Sequence, residues 1–424
     1  MCNNPLISGL RIGFVSTRFA GTDGVSLETN KWATVLQRCG HQCFYFAGVC
    51  DKPAQISYVV PEAFFHHPVM EEINTIAFSQ SVRPPELSRR IHELTEYFKD
   101  HLYRFLKEFD LQLLIIENAL SIPINIPLGI AITEVLAETG MPAIAHHHDM
   151  FWERKRFLTN CVWDYFNMAF PPHLPNIQHV VINSSASNQL ALRTGISSTL
   201  IPNVMDFDNP PLPPDAYAQN VRADLGVRPD EYLILQPTRV IQRKGIEHAL
   251  ELVSRLELPC KLVISHAAGD EGLEYEKRVR DVAMRLNVPT LFVSDIIQEQ
   301  RGVTASGKKI YTLADVYRQA DLVTYPSDIE GFGNAFLEAI YYSVPIVVNN
   351  YSIFAIDINP RGFQVIVFDG YITQKAVELT RLVLQNPELA KEMTQTNYRL
   401  ARRFYSYALL KRRLEYLLTR LFGE

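Results

Sequence analysis

The chain has 424 residues, 47% of them hydrophobic and 21% charged, a balance that suits a globular protein of two or three domains with sizeable cores. Its formal net charge of -5 lacks the basic excess of a nucleic-acid binder, so no nucleic-acid partner is expected. The six cysteines (Cys2, Cys39, Cys43, Cys50, Cys161 and Cys260) form no C-x-x-C pair, which favours a reduced, cytoplasmic setting over a disulfide framework.

The N-terminal MCNNPLISGL has neither a basic start nor a long apolar run, so no secretory signal is expected. Short apolar runs then alternate with amphipathic stretches, the pattern of βα units on a parallel sheet. In the first half the strands are LRIGFVST, QCFYFAG, QLLIIE, PAIAHHH and HVVINS, and a glycine loop, GTDG (Gly21 to Gly24), follows the first. The most apolar window, Leu111 to Thr133, contains Glu117, Asn118, Asn125 and two prolines. A lipid-spanning helix of roughly 20 residues does not accommodate these, so the window reads as strand, loop and helix, with no integral membrane segment.

The fourth strand runs into AIAHHHDMFWERKR (Ala143 to Arg156), which suggests metal ligands at first sight. Side chains alternate along a strand, so His146 and His148 point one way and His147 the other. Three adjacent histidines therefore do not converge on one ion, and no metal site is assigned. A proline-dense stretch, PNVMDFDNPPLPPDAYAQN, then marks the interdomain linker. Its Asp206 to Asp208 triplet lies outside any strand end and is not read as a metal site either.

The second half repeats the pattern with YLILQPT, KLVISHA, TLFVSD, DLVTYPS and PIVVNN. The fold class is α/β, with two doubly wound parallel sheets, in domains spanning 1–204 and 205–397. An amphipathic helix over 398–424 closes the chain. Such sheets place ligands beyond the strand C-termini.

Two stretches carry the chemistry. In PTRVIQRKGIEHALEL a strand delivers Arg239 and Lys244 onto the loop before a helix starting near Gly245, and two cations there suit a diphosphate. In SDIEGFGNAFLEAIYYSVPIVV, Glu330 sits on a loop and Glu338 lies eight residues on, inside a helix. Gly331, Phe332, Gly333 and Asn334 stand at the helix start, where free amides favour an anionic group.

Together with the run from Asp315 to Ser327, these motifs resemble the retaining glycosyltransferases of family 4, which have the GT-B fold of two Rossmann-like domains facing a central cleft. The resemblance is strongest in the second half. It implies that Arg239 and Lys244 neutralise the diphosphate of a sugar nucleotide, a UDP- or GDP-hexose. It further implies that Glu330 and the backbone of Gly331, Phe332, Gly333 and Asn334 hold the donor, and that Glu338 holds its ribose. In the first domain it implies a Gly24 amide approaching the donor and a His148 pointing at the donor sugar. The last helix is similar to the family's, which crosses back to the first domain.

For a small polar acceptor of glycerate, sugar or sugar-phosphate type, the residues proposed are Arg18 and Thr22 beside the glycine loop, and Asp149, Trp152 and Arg154 beyond the histidines. Cations and helix N-termini would stabilise the departing diphosphate. The family implies front-face attack with retention, without a metal or other cofactor. A homodimer is compatible with the sequence. The family's Gly-Gly turn after PIVVNN is absent, and the segment from Ile296 to Tyr311 is longer than usual, which leaves the donor base and sugar undetermined. The rival readings are a sugar-nucleotide epimerase or hydrolase on the same fold, and a metal-dependent hydrolase built on His146 to Asp149.

Overall fold

A computed structural model describes residues 9–21, 23–268 and 272–423. Contacts divide the chain into two units, Met1–Val204 with Tyr407–Glu424, and Met205–Ser406.

The first unit is built on a seven-stranded parallel sheet, in spatial order Ser57–Val59, Gln42–Ala47, Arg11–Val15, Leu113–Glu117, Ala143–His147, Ile177–Val181 and Ser198–Leu200. The chain enters at Arg11–Val15, runs out to one edge, then returns to build the other side. Arg11–Val15 and Leu113–Glu117 thus flank the switch point, where the loops leave in opposite directions and open a ligand crevice. The period-2 alternation sorts the side chains cleanly. Ile12, Phe14, Leu113, Ile115 and Ile144 pack with Trp32 and Leu36 of the helix Gly24–Arg38 and with Leu410, Leu414 and Leu417 of the final helix Tyr407–Phe422. Val15, Leu114, Ile116 and Ala145 face the other way, onto Phe98, Leu102 and Phe105 of Pro85–Glu108 and Leu128 and Val135 of Ile126–Thr139. The last of these helices starts where Asn125 caps the Leu128 amide at 3.1 Å, and stops at Gly140, which takes the left-handed conformation (φ 64°).

The second unit has a six-stranded parallel sheet ordered Thr290–Phe292, Cys260–Ile264, Tyr232–Gln236, Leu322–Tyr325, Ile346–Asn349 and Ile366–Phe368. Its switch point lies between Tyr232–Gln236 and Leu322–Tyr325. Ile234, Leu262, Ile264 and Val347 bury against Ile246, Leu250 and Val253 of Ile246–Leu256 and Val377 of Gln374–Gln385. The expected strands all form. Three strands of three residues each, Ser57–Val59, Ser198–Leu200 and Ile366–Phe368, add edges that the apolar pattern did not reveal, being too short to show a period.

One segment differs from expectation, and another takes a form that the sequence left open. The stretch expected as one helix over 398–424 is broken: Pro387–Phe404 and Tyr407–Phe422 are separate helices. The Tyr405 carbonyl accepts from the Met205 amide at 2.9 Å instead of continuing the helical ladder, and Ser406 bridges to Met205. The long segment after Thr290–Phe292 forms a small hairpin, Gly302–Val303 against Lys309–Ile310. The Tyr217 hydroxyl lies within 3.0 Å of the Gly302 carbonyl and 2.9 Å of the Ile310 carbonyl, and Arg301 forks onto Asp215 at 2.6 and 3.0 Å. These contacts pin the hairpin to the proline-rich segment.

The final helix belongs to the first unit through its leucines, each contributing roughly 1.5–3 kcal/mol on burial. Leu414→Ala is therefore expected to destabilise the protein by about 2–5 kcal/mol, read from urea unfolding. A loss below about 1 kcal/mol would show that this helix is not part of the core.

Candidate active site

The two loops at the second unit's switch point are joined in several ways. The Asp328 amide donates to the Arg243 carbonyl at 2.9 Å, and the Arg243 guanidinium donates to the Ile329 carbonyl at 3.2 Å. The Lys244 ammonium is buried and paired with Glu330 Oε1, while Arg243 stands 3.5 Å from Oε2. Burial alone would raise the Glu330 carboxyl; the Lys244 charge and hydrogen bond, with Arg243 behind them, overcome this and hold it below its usual value. Gly245 follows with φ 56°, and a Cβ there would lie 2.6 Å from the Pro326 carbonyl oxygen, so only glycine lets the loops approach this closely. Arg239 is exposed on the same loop.

Glu330 leads into the glycine turn. Gly333 has φ 121°, and a Cβ there would stand 2.5 Å from the Tyr351 hydroxyl, which donates to the Phe332 carbonyl at 2.8 Å. The Phe332 ring is buried against Tyr405, with centroids 5.3 Å apart, so this residue offers a ligand its backbone only. Gly331 precedes the turn and Asn334 opens the helix Asn334–Tyr341. Within that helix Glu338 accepts from the buried Tyr317 hydroxyl at 2.9 Å.

The first unit's switch point carries a different chemistry. Glu117, at the end of Leu113–Glu117, is fully buried, and its Oε2 lies 2.9 Å from His148 Nε2. His146 Nδ1 is also 2.9 Å from that oxygen, at ion-pair distance but out of line for a hydrogen bond. Its ring stacks on Trp32 at 4.2 Å. The Glu117 carboxyl would be raised by burial, but the two imidazoles reverse this and lower it to about 2. Burial would lower His148; the Glu117 hydrogen bond and charge raise it instead. Burial lowers His146 in spite of the neighbouring Glu117 charge. His147 turns to the opposite face, as the alternation requires, and meets His179 at 2.9 Å.

Among the described residues, Glu117, His146 and His148 are the one group whose ligand atoms, all within 4.8 Å of one another, could hold a metal ion. The pairing of His146 with His148 was legible in the sequence; the carboxylate that joins them was not. The signal was there, since a Glu closing the apolar run LLIIE needs a partner once the strand is buried.

The other first-unit candidates make contacts of their own. Gly24 is the first residue of its helix, but Asp23 caps the next two amides at 3.1 Å each and pairs with Arg18 at 3.0 Å. Asp149 pairs with Arg154 at 2.5 Å, and Trp152 lies under the Arg193 guanidinium, 5.3 Å from its ring centroid. The residues after the histidines form two short 3-10 turns. Thr22 lies outside the described residues.

Residues 299–400 match the family described as Glycosyl transferases group 1. The chain is 30% identical to the mannosylglucosylglycerate synthase of Thermotoga maritima, over 97% of this chain and 99% of that protein. It is also 30% identical to the enzyme of the same name from Petrotoga mobilis, over 84% and 86%. The chain belongs to the glycosyl transferases group 1 family. The fold of this glycosyltransferase also matches the sucrose-phosphate synthase of Thermosynechococcus elongatus with a TM-score of 0.67 at 14% identity, over 98% of this chain and 99% of that one. Its two Rossmann-like sheets are those of the GT-B class.

Two measurements check this electrostatic picture of the glycosyltransferase. Lys244→Met removes the nearest counter-ion of the buried Glu330, leaving Arg243 at 3.5 Å, and is expected to cost about 3–5 kcal/mol in urea unfolding. Burial lowers His147, and lowers His179 to about 4. The unfolded chain takes up protons at these positions below about pH 6.5 while the native state refuses them, so their contribution is present above that pH and lost as the pH falls toward 4. The melting temperature should decline across that window, and His179→Gln should flatten the decline; an unchanged slope would show that these imidazoles are protonated in the fold.

Proposed function

We propose that the enzyme is a retaining hexosyltransferase of family 4 that moves a mannosyl group from a nucleoside-diphosphate sugar to a glucosylglycerate-type acceptor. The observation that carries this reading is the 30% identity to a mannosylglucosylglycerate synthase along nearly the full length of both proteins. The second unit's loops support it: Arg239 and Lys244 meet the diphosphate, and Glu330, the glycine turn and Glu338 take the sugar and ribose. As the sugar–phosphate bond breaks, negative charge grows on the departing diphosphate, and fixed cations favour that state most. In the first unit, His148 bears on the donor sugar. Arg18, Asp149, Trp152 and Arg154 remain the acceptor candidates, with Arg18 and Arg154 suited to a glycerate carboxylate once released from Asp23 and Asp149.

Metal independence is part of the proposal. In the Glu117 cluster one carboxylate oxygen is already hydrogen-bonded to His148 at 2.9 Å, and His146 Nδ1 faces that same oxygen at 2.9 Å. Zinc would need the three ligands spread around it at roughly 2.0–2.2 Å each. Among the described residues no helix is long and apolar enough to cross a membrane. A cytoplasmic setting is part of the same reading.

The test is a product assay with UDP-, GDP- and ADP-hexoses against glycerate, glucosylglycerate and their phosphates, with and without EDTA. The expected result is an α-linked product from an α-linked donor, EDTA-insensitive. Arg239→Ala should lower kcat/KM by roughly 10²–10³-fold. Inversion at the anomeric carbon, or loss of activity with EDTA restored by a metal, would overturn the mechanism. Turnover of the sugar nucleotide independent of any acceptor would point to the epimerase or hydrolase instead.

A further inference from the structure

His266 lies on the loop after Cys260–Ile264 and has no part in the assignments above. Its strand runs parallel to Tyr232–Gln236 with Gln236 opposite Ile264, so the two chains leave the sheet side by side at the same edge. Backbone bonds keep them together beyond it: the Ser265 amide donates to the Gln236 carbonyl at 3.4 Å, and the Val240 amide to the Ala267 carbonyl at 3.2 Å. The imidazole is thereby held beside the loop that carries Arg239 and Lys244. Its Nδ1 is fixed 2.7 Å from the hydroxyl of the buried Ser265, which orients the ring and leaves Nε2 for another partner.

The charges that act on this ring are those of Arg239 and Lys244, with Glu330 as the counter-ion of Lys244. A half-buried histidine beside two cations is kept neutral, first by burial and then by their repulsion. Such a group contributes little to an empty anion site. A diphosphate arriving between the two cations reverses the local field, and the imidazole then gains a charge where it can donate to a phosphate oxygen.

Resting on the diphosphate reading of this loop, we propose that His266 takes up a proton from solvent as the donor binds and acts as a third cationic hydrogen-bond donor to its diphosphate, beside Arg239 and Lys244. The proton returns to solvent when the nucleotide leaves. Donor affinity then rises as the pH falls, since the complex binds a proton that the free enzyme does not.

Isothermal titration of the whole protein with UDP-glucose and GDP-mannose, acceptor omitted, tests this in two buffers of different ionisation enthalpy. Neither diphosphate diester titrates near neutrality, so any proton taken up belongs to the protein. The wild type should take up a fraction of a proton near pH 7 and bind roughly tenfold tighter at pH 6 than at pH 8. His266→Gln and His266→Asn should bind without uptake and without that pH dependence, while Arg239→Ala should bind more weakly yet keep the uptake. Binding without proton uptake in the wild type, or equal uptake in the wild type and either His266 variant, would overturn the role of His266. If neither sugar nucleotide binds the wild type at all, the diphosphate reading fails and this inference with it, an outcome distinct from binding without uptake.

Discussion

The ion pair between Lys244 and Glu330 joins positions 86 residues apart in the chain and holds the second unit's two switch-point loops in register. Each charge on its own would be costly at this depth; together they fix the path of both loops. The close approach of Gly245 to Pro326 and the bond from the Asp328 amide to Arg243 follow from that path. So does the placement of Arg239 at the rim, where it remains exposed. The loops are thus joined within the unit itself, with Lys244 neutralised by its own carboxylate and Arg239 presented to solvent.

The first unit solves the same topological problem with a different device. Its switch point places a carboxylate at the end of one strand and two imidazoles at the end of the next, and Leu113–Glu117 and Ala143–His147 are direct neighbours with Glu117 opposite His146. Register alone brings them together. A buried carboxylate there is tolerable because His148 shares its proton and Trp32 covers His146. The same strand pairing sends His147 to the opposite face, so one run of three histidines serves two unrelated clusters.

The alternation of apolar runs with amphipathic stretches was enough to foresee two parallel sheets, because each buried strand must show a continuous apolar run. Arg239 and Lys244 stood out because two cations past the C-terminal end of a strand suit a diphosphate, and Glu330 because it leads into a glycine turn at a helix start. The three short edge strands did not stand out, since three residues hold no periodicity. Nor did the break at Tyr405–Ser406, where a bond from Met205, distant in sequence, overrides a strong local helical pattern.

What the sequence by itself determined is the set of local choices: which runs bury, where they alternate, and which loops carry cations, glycines and carboxylates, because these depend on neighbours within a few residues. Only the tertiary structure decided the pairings. Glu117 finds His148, Arg18 finds Asp23, and His266 comes to lie beside the Arg239 loop through strand order and register, which are set by long-range packing of the two sheets.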